Sequence, residues 1–127
     1  MLQREIQRDL SAMFSDNRFQ RHGRYRYSAT IDGEKIGVVL ATKSQGYNNF
    51  ALNKADLDRV VTATGDGRLD AGFVVAATVN GDSMNFIDQI SADVLADPLR
   101  GEQPRTGKFG EFYLIPERIA FPADEPF

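Results

Sequence analysis

The sequence predicts an α/β (α+β) domain with a mixed β-sheet, on the basis of three local patterns. Residues 24–31 alternate in polarity and lead into Asp32-Gly33, a dipeptide that favours a two-residue hairpin turn. Segments 36–41 and 73–79 are apolar on both faces, which is typical of strands covered on both sides. Between them, residues 53–64 carry apolar side chains at helical spacing. We therefore expect a right-handed βαβ crossover in which the two buried strands are parallel.

Shorter elements follow from the spacing of apolar residues and from the Gly, Pro, Asn and Asp residues that interrupt it. In chain order they are a helix over 2–14, an N-cap at Asn53, a helix stop at 65–67, a hairpin turn at Asn80-Gly81 with a second arm over 82–87, a short helix over 91–96 ended by Pro98, a loop over 100–110 and a strand over 111–115. A helix starting near Met84 is the alternative to the second hairpin. The pattern predicts one domain over residues 1–121 and a loose tail over 122–127.

Composition excludes several classes of protein and of site. No apolar run approaches the ~20 residues of a membrane-spanning helix, and residues 1–10 lack the apolar core of a secretory signal, so we expect a cytoplasmic protein with no membrane partner. Cysteine is absent and His22 is the only histidine, which excludes disulfides, thiolate zinc sites and two-histidine sites. We expect no cofactor and no bound metal. The net charge of -3 disfavours wholesale coating of nucleic acid but allows a local basic patch.

The turn at Asp32-Gly33 fixes the register of the first hairpin, because Ile31 then faces Glu34. In this register the side chains of Tyr25, Tyr27, Ala29, Ile36, Val38 and Leu40 share one face, an apolar layer suited to the core beneath a helix. The other face pairs Arg26 with Val39, Arg24 with Ala41 and His22 with Lys43. A slip of one residue would exchange the two faces and bury the arginines, which would be costly without partners.

A basic cluster is therefore predicted at the open end of this hairpin. It consists of His22, Arg24, Arg26 and Lys43, with Arg18 and Arg21 added from the preceding segment, in which no acid occurs between Asp16 and Asp32. Just beyond Lys43, the residues Gln45, Tyr47 and Asn48 follow the carboxyl end of a parallel strand, where open α/β sheets bind ligands. Arginines can bind phosphates through two nitrogens, and aromatic rings can stack on bases. The structural alternative is that the arginines cover apolar surface and pair with Asp56, Asp58 or Glu111.

A helix, a hairpin whose second strand ends in Ala41-Thr42-Lys43, a crossover helix and a further parallel strand resemble the core of the restriction-endonuclease-like, PD-(D/E)XK nuclease superfamily. The resemblance covers roughly residues 2–79. It implies a strand of the pattern (D/E)-x-K, whose carboxylate holds a divalent metal together with a second acid while the lysine helps to activate water. Here Ala41 stands at the carboxylate position. A hard cation needs anionic oxygen ligands, so the resemblance implies the fold without metal catalysis.

These observations leave three functions open. The first is a domain that binds nucleic acid or another polyanion without cutting it, with Arg24, Arg26 and Lys43 on phosphates and the residues after Lys43 on sugar or base. The second is a metal-dependent nuclease in which Asp56 or Asp58 has moved into the site. The third is a protein-interaction or oligomerisation module, in which the hairpin or the strand over 111–115 pairs with a partner or with a second copy of the chain.

Overall fold

The computed structural model describes residues 19–23, 25–44, 46–81, 83–99, 101–108 and 110–116. These residues form one eight-stranded sheet and two helices, which confirms the mixed α+β class. In chain order the elements are β1 (Gln20–Arg21), β2 (Arg26–Ile31), β3 (Glu34–Ser44), β4 (Asn49–Asn53), α1 (Lys54–Gly65), β5 (Ala71–Asn80), β6 (Ser83–Ser91), α2 (Ala92–Leu99), β7 (Arg105–Gly107) and β8 (Gly110–Pro116). The helix predicted over 2–14 and the tail over 122–127 lie outside the described residues.

The first hairpin has the predicted register. Asp32 and Gly33 both have positive φ angles, 51° and 83°, as a type I′ turn requires. Ile31 faces Glu34, and the same register continues back to Arg26, which faces Val39. The turn therefore decides which side chains of β2 and β3 point to each face of the sheet.

β3 occupies the centre of the sheet because it has partners along both edges. β5 runs parallel to it from the pair Ile36 and Ala71 to the pair Ser44 and Val79, which confirms the predicted crossover. The other edge is shared, since β2 pairs with the first part of β3, and β4 pairs with it at Thr42. We call the place where the partner changes from β2 to β4 the fork. β8 and β7 continue the sheet beyond β4, and β6 continues it beyond β5.

Several elements differ from the predicted ones. β4 was not expected, because it has only five residues and begins and ends with asparagine, a residue that favours turns. β7 forms inside the predicted loop over 100–110, since Gly110 at φ 101° lets the chain fold back onto β8. α2 continues one residue past Pro98, to Leu99, which is buried in the core at 7% exposure. The second hairpin, β5–β6, is confirmed.

The two faces of the sheet carry separate core clusters. Val39 and Ala41 of β3 belong to the cluster that packs under α1 and α2, and we call this side the helix face. Tyr27, Val38 and Leu40 belong to the cluster on the opposite face. The sequence placed the tyrosine face beneath a helix, whereas both helices of the described residues cover the Val39 face. None of the described helices is long and apolar enough to cross a membrane.

α1 sits close to β5 because of Asn53 and Gly72. The side-chain oxygen of Asn53 accepts a hydrogen bond from the amide of Asp56 at 3.0 Å, so Asn53 is the predicted N-cap that starts the helix. Gly72 leaves room for the helix, since a Cβ atom at this position would overlap Val60 and lie 3.1 Å from the hydroxyl of Thr64. The crossover helix thus depends on a missing side chain in the strand below it.

Gly72→Ala tests this close approach. We expect the substitution to lower the free energy of unfolding by about 1–3 kcal/mol, because the added methyl group must push α1 away from β5. Urea unfolding followed by circular dichroism measures the change. Gly101→Ala is the matched control, because no heavy atom lies within 4 Å of a Cβ atom there. Equal unfolding midpoints for wild type and Gly72→Ala would contradict the packing described above.

Candidate functional site: a cationic groove beside the crossover helix

A groove of about 840 Å³ runs along the helix face between β2 and α1. β1 and β2 form one wall, and the start of β3 contributes to the floor. The other wall is formed by α1 from Arg59 onward and by the segment that follows this helix. Of the described residues that line it, four carry a positive charge: Arg26, Lys35, Arg59 and Arg68. His22 also lines it, and no Asp or Glu within the described ranges does. We call this feature the cationic groove.

The four cations differ in how far they are neutralised. Arg68 binds the carboxylate of Asp66 at 2.9 Å, and this contact holds the pKa of the Asp66 carboxyl below its usual value. Lys35 and Arg59 form no ion pair within the described ranges. Because both of these side chains are exposed, their charges face solvent and remain available to an anion.

Arg26 is the most buried of these four cations. Its side chain is 16% exposed, and its Nη1 atom lies 3.6 Å from a carboxylate oxygen of Asp56 on α1. Its Nη2 atom donates a hydrogen bond to the carbonyl oxygen of His22 at 3.2 Å. The Nη1 atom is buried and has no hydrogen-bond partner among the described residues, because the Asp56 oxygen is too distant for one. The ion pair with Asp56 that the sequence allowed is therefore formed, but it leaves one guanidinium nitrogen unsatisfied.

The predicted pairing of His22 with Lys43 is wrong, because the chain turns before β2 begins. The amide of His22 donates to the carbonyl oxygen of Arg26 at 2.8 Å. This turn joins β1 to β2, so that β1 pairs with the outer edge of β2. His22 shares a side-chain hydrogen bond with Ser28 in the groove. The edge of β3 near Lys43 is occupied by β4 instead. Arg21 of β1 donates to the carbonyl oxygen of Gly23 at 2.9 Å.

Lys43 stabilises the loop that follows β3. Its Nζ atom donates to the carbonyl oxygen of Tyr47 at 3.1 Å and lies 5.4 Å from the centre of the Phe50 ring. Lys43 has the same orientation as Val39, the residue opposite Arg26, but stands four residues further along β3, or roughly 13 Å. Lys43 therefore does not line the groove that contains Arg26.

The structure divides the predicted cluster into two groups. His22 and Arg26 line the groove, whereas Lys43 contacts Tyr47, whose side chain is 69% exposed, at the loop that also carries the exposed Asn48. The predicted site residues Arg18, Arg24 and Gln45 lie outside the described residues. The acids proposed as relocated metal ligands are both paired, Asp56 with Arg26 and Asp58 with Lys54 at 2.8 Å. No group of three His, Cys, Asp or Glu residues that could hold a metal occurs among the described residues.

Three cations of the groove were missed from the sequence: Lys35, Arg59 and Arg68. A signal for Lys35 was present, because the hairpin register pairs it with Thr30 and so places it on the same face as Arg26. No such rule relates Arg59 or Arg68 to β2, since their position depends on how α1 packs across the sheet.

Tyr27, a residue of β2, has a buried hydroxyl group. The residue is 1% exposed, and burial raises the pKa of its hydroxyl above 10.0. The nearby guanidinium of Arg21 opposes this shift in pKa. The hydroxyl oxygen has no well-formed hydrogen bond within the described part of the chain, so the ring contributes through its packing.

No protein-family model matches this sequence. The search of curated proteins likewise gives no match.

The raised pKa of Tyr27 predicts a loss of stability in alkali. The native state keeps this hydroxyl protonated, so between the unfolded-state pKa near 10.0 and the higher native pKa, the unfolded state binds fewer protons and stability falls as pH rises. Urea unfolding measured at several pH values around 10.0 should show a shallower decline for Tyr27→Phe than for wild type. Tyr47→Phe, at an exposed position, should follow the wild-type curve. A wild-type decline that Tyr27→Phe leaves unchanged would contradict this assignment.

Proposed function

We propose that the protein binds a nucleic acid or another phosphate polyanion along the cationic groove, without metal-dependent cleavage. The observation that carries this proposal is the charge of the lining: among the described residues, four cationic side chains and no carboxylate line a groove of about 840 Å³. The volume lies within the range of ligand sites. In a chain with a net charge of -3, such a grouping of positive charge is local rather than general.

The two types of cation in the groove suit different tasks. Arg26 is fixed by Asp56 and by the carbonyl oxygen of His22, so its position changes little when a ligand arrives. Lys35 and Arg59 are exposed and can each approach a phosphate without breaking an ion pair of the described residues. Phosphate contacts of this kind orient a nucleic acid and give little sequence selectivity.

Binding without cutting is favoured by the residues at the positions that a nuclease would use. The β2–β3 hairpin and the β3–α1–β5 crossover support the resemblance to the restriction-endonuclease-like superfamily, although β4 lies between β3 and α1. Ala41, at the carboxylate position, is 0% exposed and belongs to the core. Asp56, one of the two relocated candidates, stands beside the guanidinium of Arg26, whose charge opposes the approach of a divalent cation.

Removal of the two unpaired cations tests the proposal. Lys35→Ala/Arg59→Ala should weaken binding of fluorescein-labelled single-stranded DNA or RNA and lower the slope of log affinity against log salt by about 1.4, because each lost phosphate contact contributes about 0.7. Fluorescence anisotropy at several salt concentrations measures this slope.

Lys54→Ala/Arg105→Ala is the matched control, because it removes the same charge from residues outside the groove. Its salt slope should equal that of wild type. If the affinity of both double variants falls by the same factor, binding depends on the net charge of the chain and the groove is not the site. If wild type binds no polyanion at low salt, the proposed function is wrong.

A further inference from the structure

A second cavity, of about 480 Å³, lies at the fork. Its lining comes from the residue before β2, from β3, from β4, from the first turns of α1 and from the β7–β8 hairpin. The lining residues that matter for its chemistry are Tyr25, Thr42, Asn53, Asp56, Arg59 and Phe112. We call this cavity the fork pocket.

The fork pocket adjoins the cationic groove. Arg59 lines both cavities. Arg26 lines only the groove and Asp56 only the pocket, and these two side chains approach each other to 3.6 Å. A single ion pair thus stands between the cavities at this point, and one guanidinium, that of Arg59, borders both of them.

The chemistry of the two cavities is different. Of the described residues, the aromatic Tyr25 and Phe112 line the fork pocket together with the hydroxyl-bearing Thr42 and the carboxylate-bearing Asp56. The ring of Phe112 packs against Gly107, where a Cβ atom would lie 2.7 Å from the ring atom Cε1. The glycine therefore allows this position of the ring. Aromatic side chains provide a flat surface for stacking, and the polar groups provide donors and acceptors for the edge of a planar heterocycle.

We propose that the fork pocket takes one base of a single-stranded nucleic acid whose phosphates lie in the cationic groove. This inference rests on the proposed function and extends it from a polyanion to a nucleotide chain. Arg59, at the border, then contacts the phosphate next to the inserted base. A duplex does not offer such a base without the cost of unpairing and unstacking it, so binding favours single strands.

The test compares two ligands that carry the same charge. One is a labelled deoxythymidine oligonucleotide of about ten residues, and the other is its abasic counterpart of equal length, so both present the same phosphates to the groove. Competition in fluorescence anisotropy gives their relative affinities. We expect wild type to prefer the base-bearing strand by about tenfold, in line with the energy of stacking a base on an aromatic side chain.

Variants of the two rings locate the preference. Phe112→Leu and Tyr25→Leu should each reduce the preference to about threefold or less while leaving the affinity for the abasic strand unchanged. Leu114→Ala is the matched control, because Leu114 lies on the same strand as Phe112, is 37% exposed and does not line the pocket. It should keep the wild-type preference.

The possible outcomes separate this inference from the function on which it rests. Equal affinity of wild type for the two strands would overturn the base pocket and leave the groove as a polyanion site. A preference that survives in both folded ring variants would place the base elsewhere. Absence of binding to either strand would overturn both proposals. The comparison of strands in wild type decides the question even if a ring variant fails to fold, which circular dichroism would show.

Discussion

The structure depends on the hydrogen bonding of β3. A buried strand must satisfy its backbone groups on both edges, and this eleven-residue strand does so with three partners. β5 occupies one edge, whereas β2 and β4 divide the other. The central residues Val38 to Ala41 are consequently almost fully buried, at 0–1% exposure. Because neither β2 nor β4 covers the whole edge, the sheet splits; the fork pocket lies at this split, and the cationic groove adjoins it along β2.

The distribution of acids explains how an acidic chain presents a cationic groove. Carboxylates beside the groove accept hydrogen bonds from backbone amides, and some also pair with cations. Asp66 accepts from the amide of Arg68 at 3.1 Å, and Asp70 accepts from the amide of Lys35 at 2.8 Å. These acids shape the turns before β5 and the start of β3, and none of them lines the groove. Lys35 and Arg59 consequently keep their charges in contact with solvent, where attraction of an anion is strongest at low salt.

The parts of the fold that were predicted from sequence are those with a local chemical cause. Asp32-Gly33 defines a turn, the turn defines the register, and the register correctly places Arg26 opposite Val39, although the helices cover this face and not the predicted tyrosine face. The predictions failed where the structure of a segment depends on its contacts with another segment that is distant in sequence. The segment 49–53 becomes a strand because β8 pairs with it over its whole length, which its own residues do not reveal. Of the four groove cations among the described residues, the sequence predicted only Arg26; Arg59, for example, was missed because it reaches the groove through the packing of α1.

The pairing of β3 with β5 also has a consequence for the order in which the chain folds. The hairpins β2–β3 and β5–β6 join segments that are close in sequence, the first through the turn at Asp32-Gly33 and the second near Gly81, and so close short loops. The parallel pair brings together Ile36 and Ala71, which are far apart in sequence. The segment between them must therefore lose more conformational freedom than a hairpin loop does, before contacts between the strands compensate for that loss. We expect the two hairpins to form early and the docking of α1 over Gly72 to accompany the slow step, which would make the crossover, rather than either hairpin, the determinant of the folding rate.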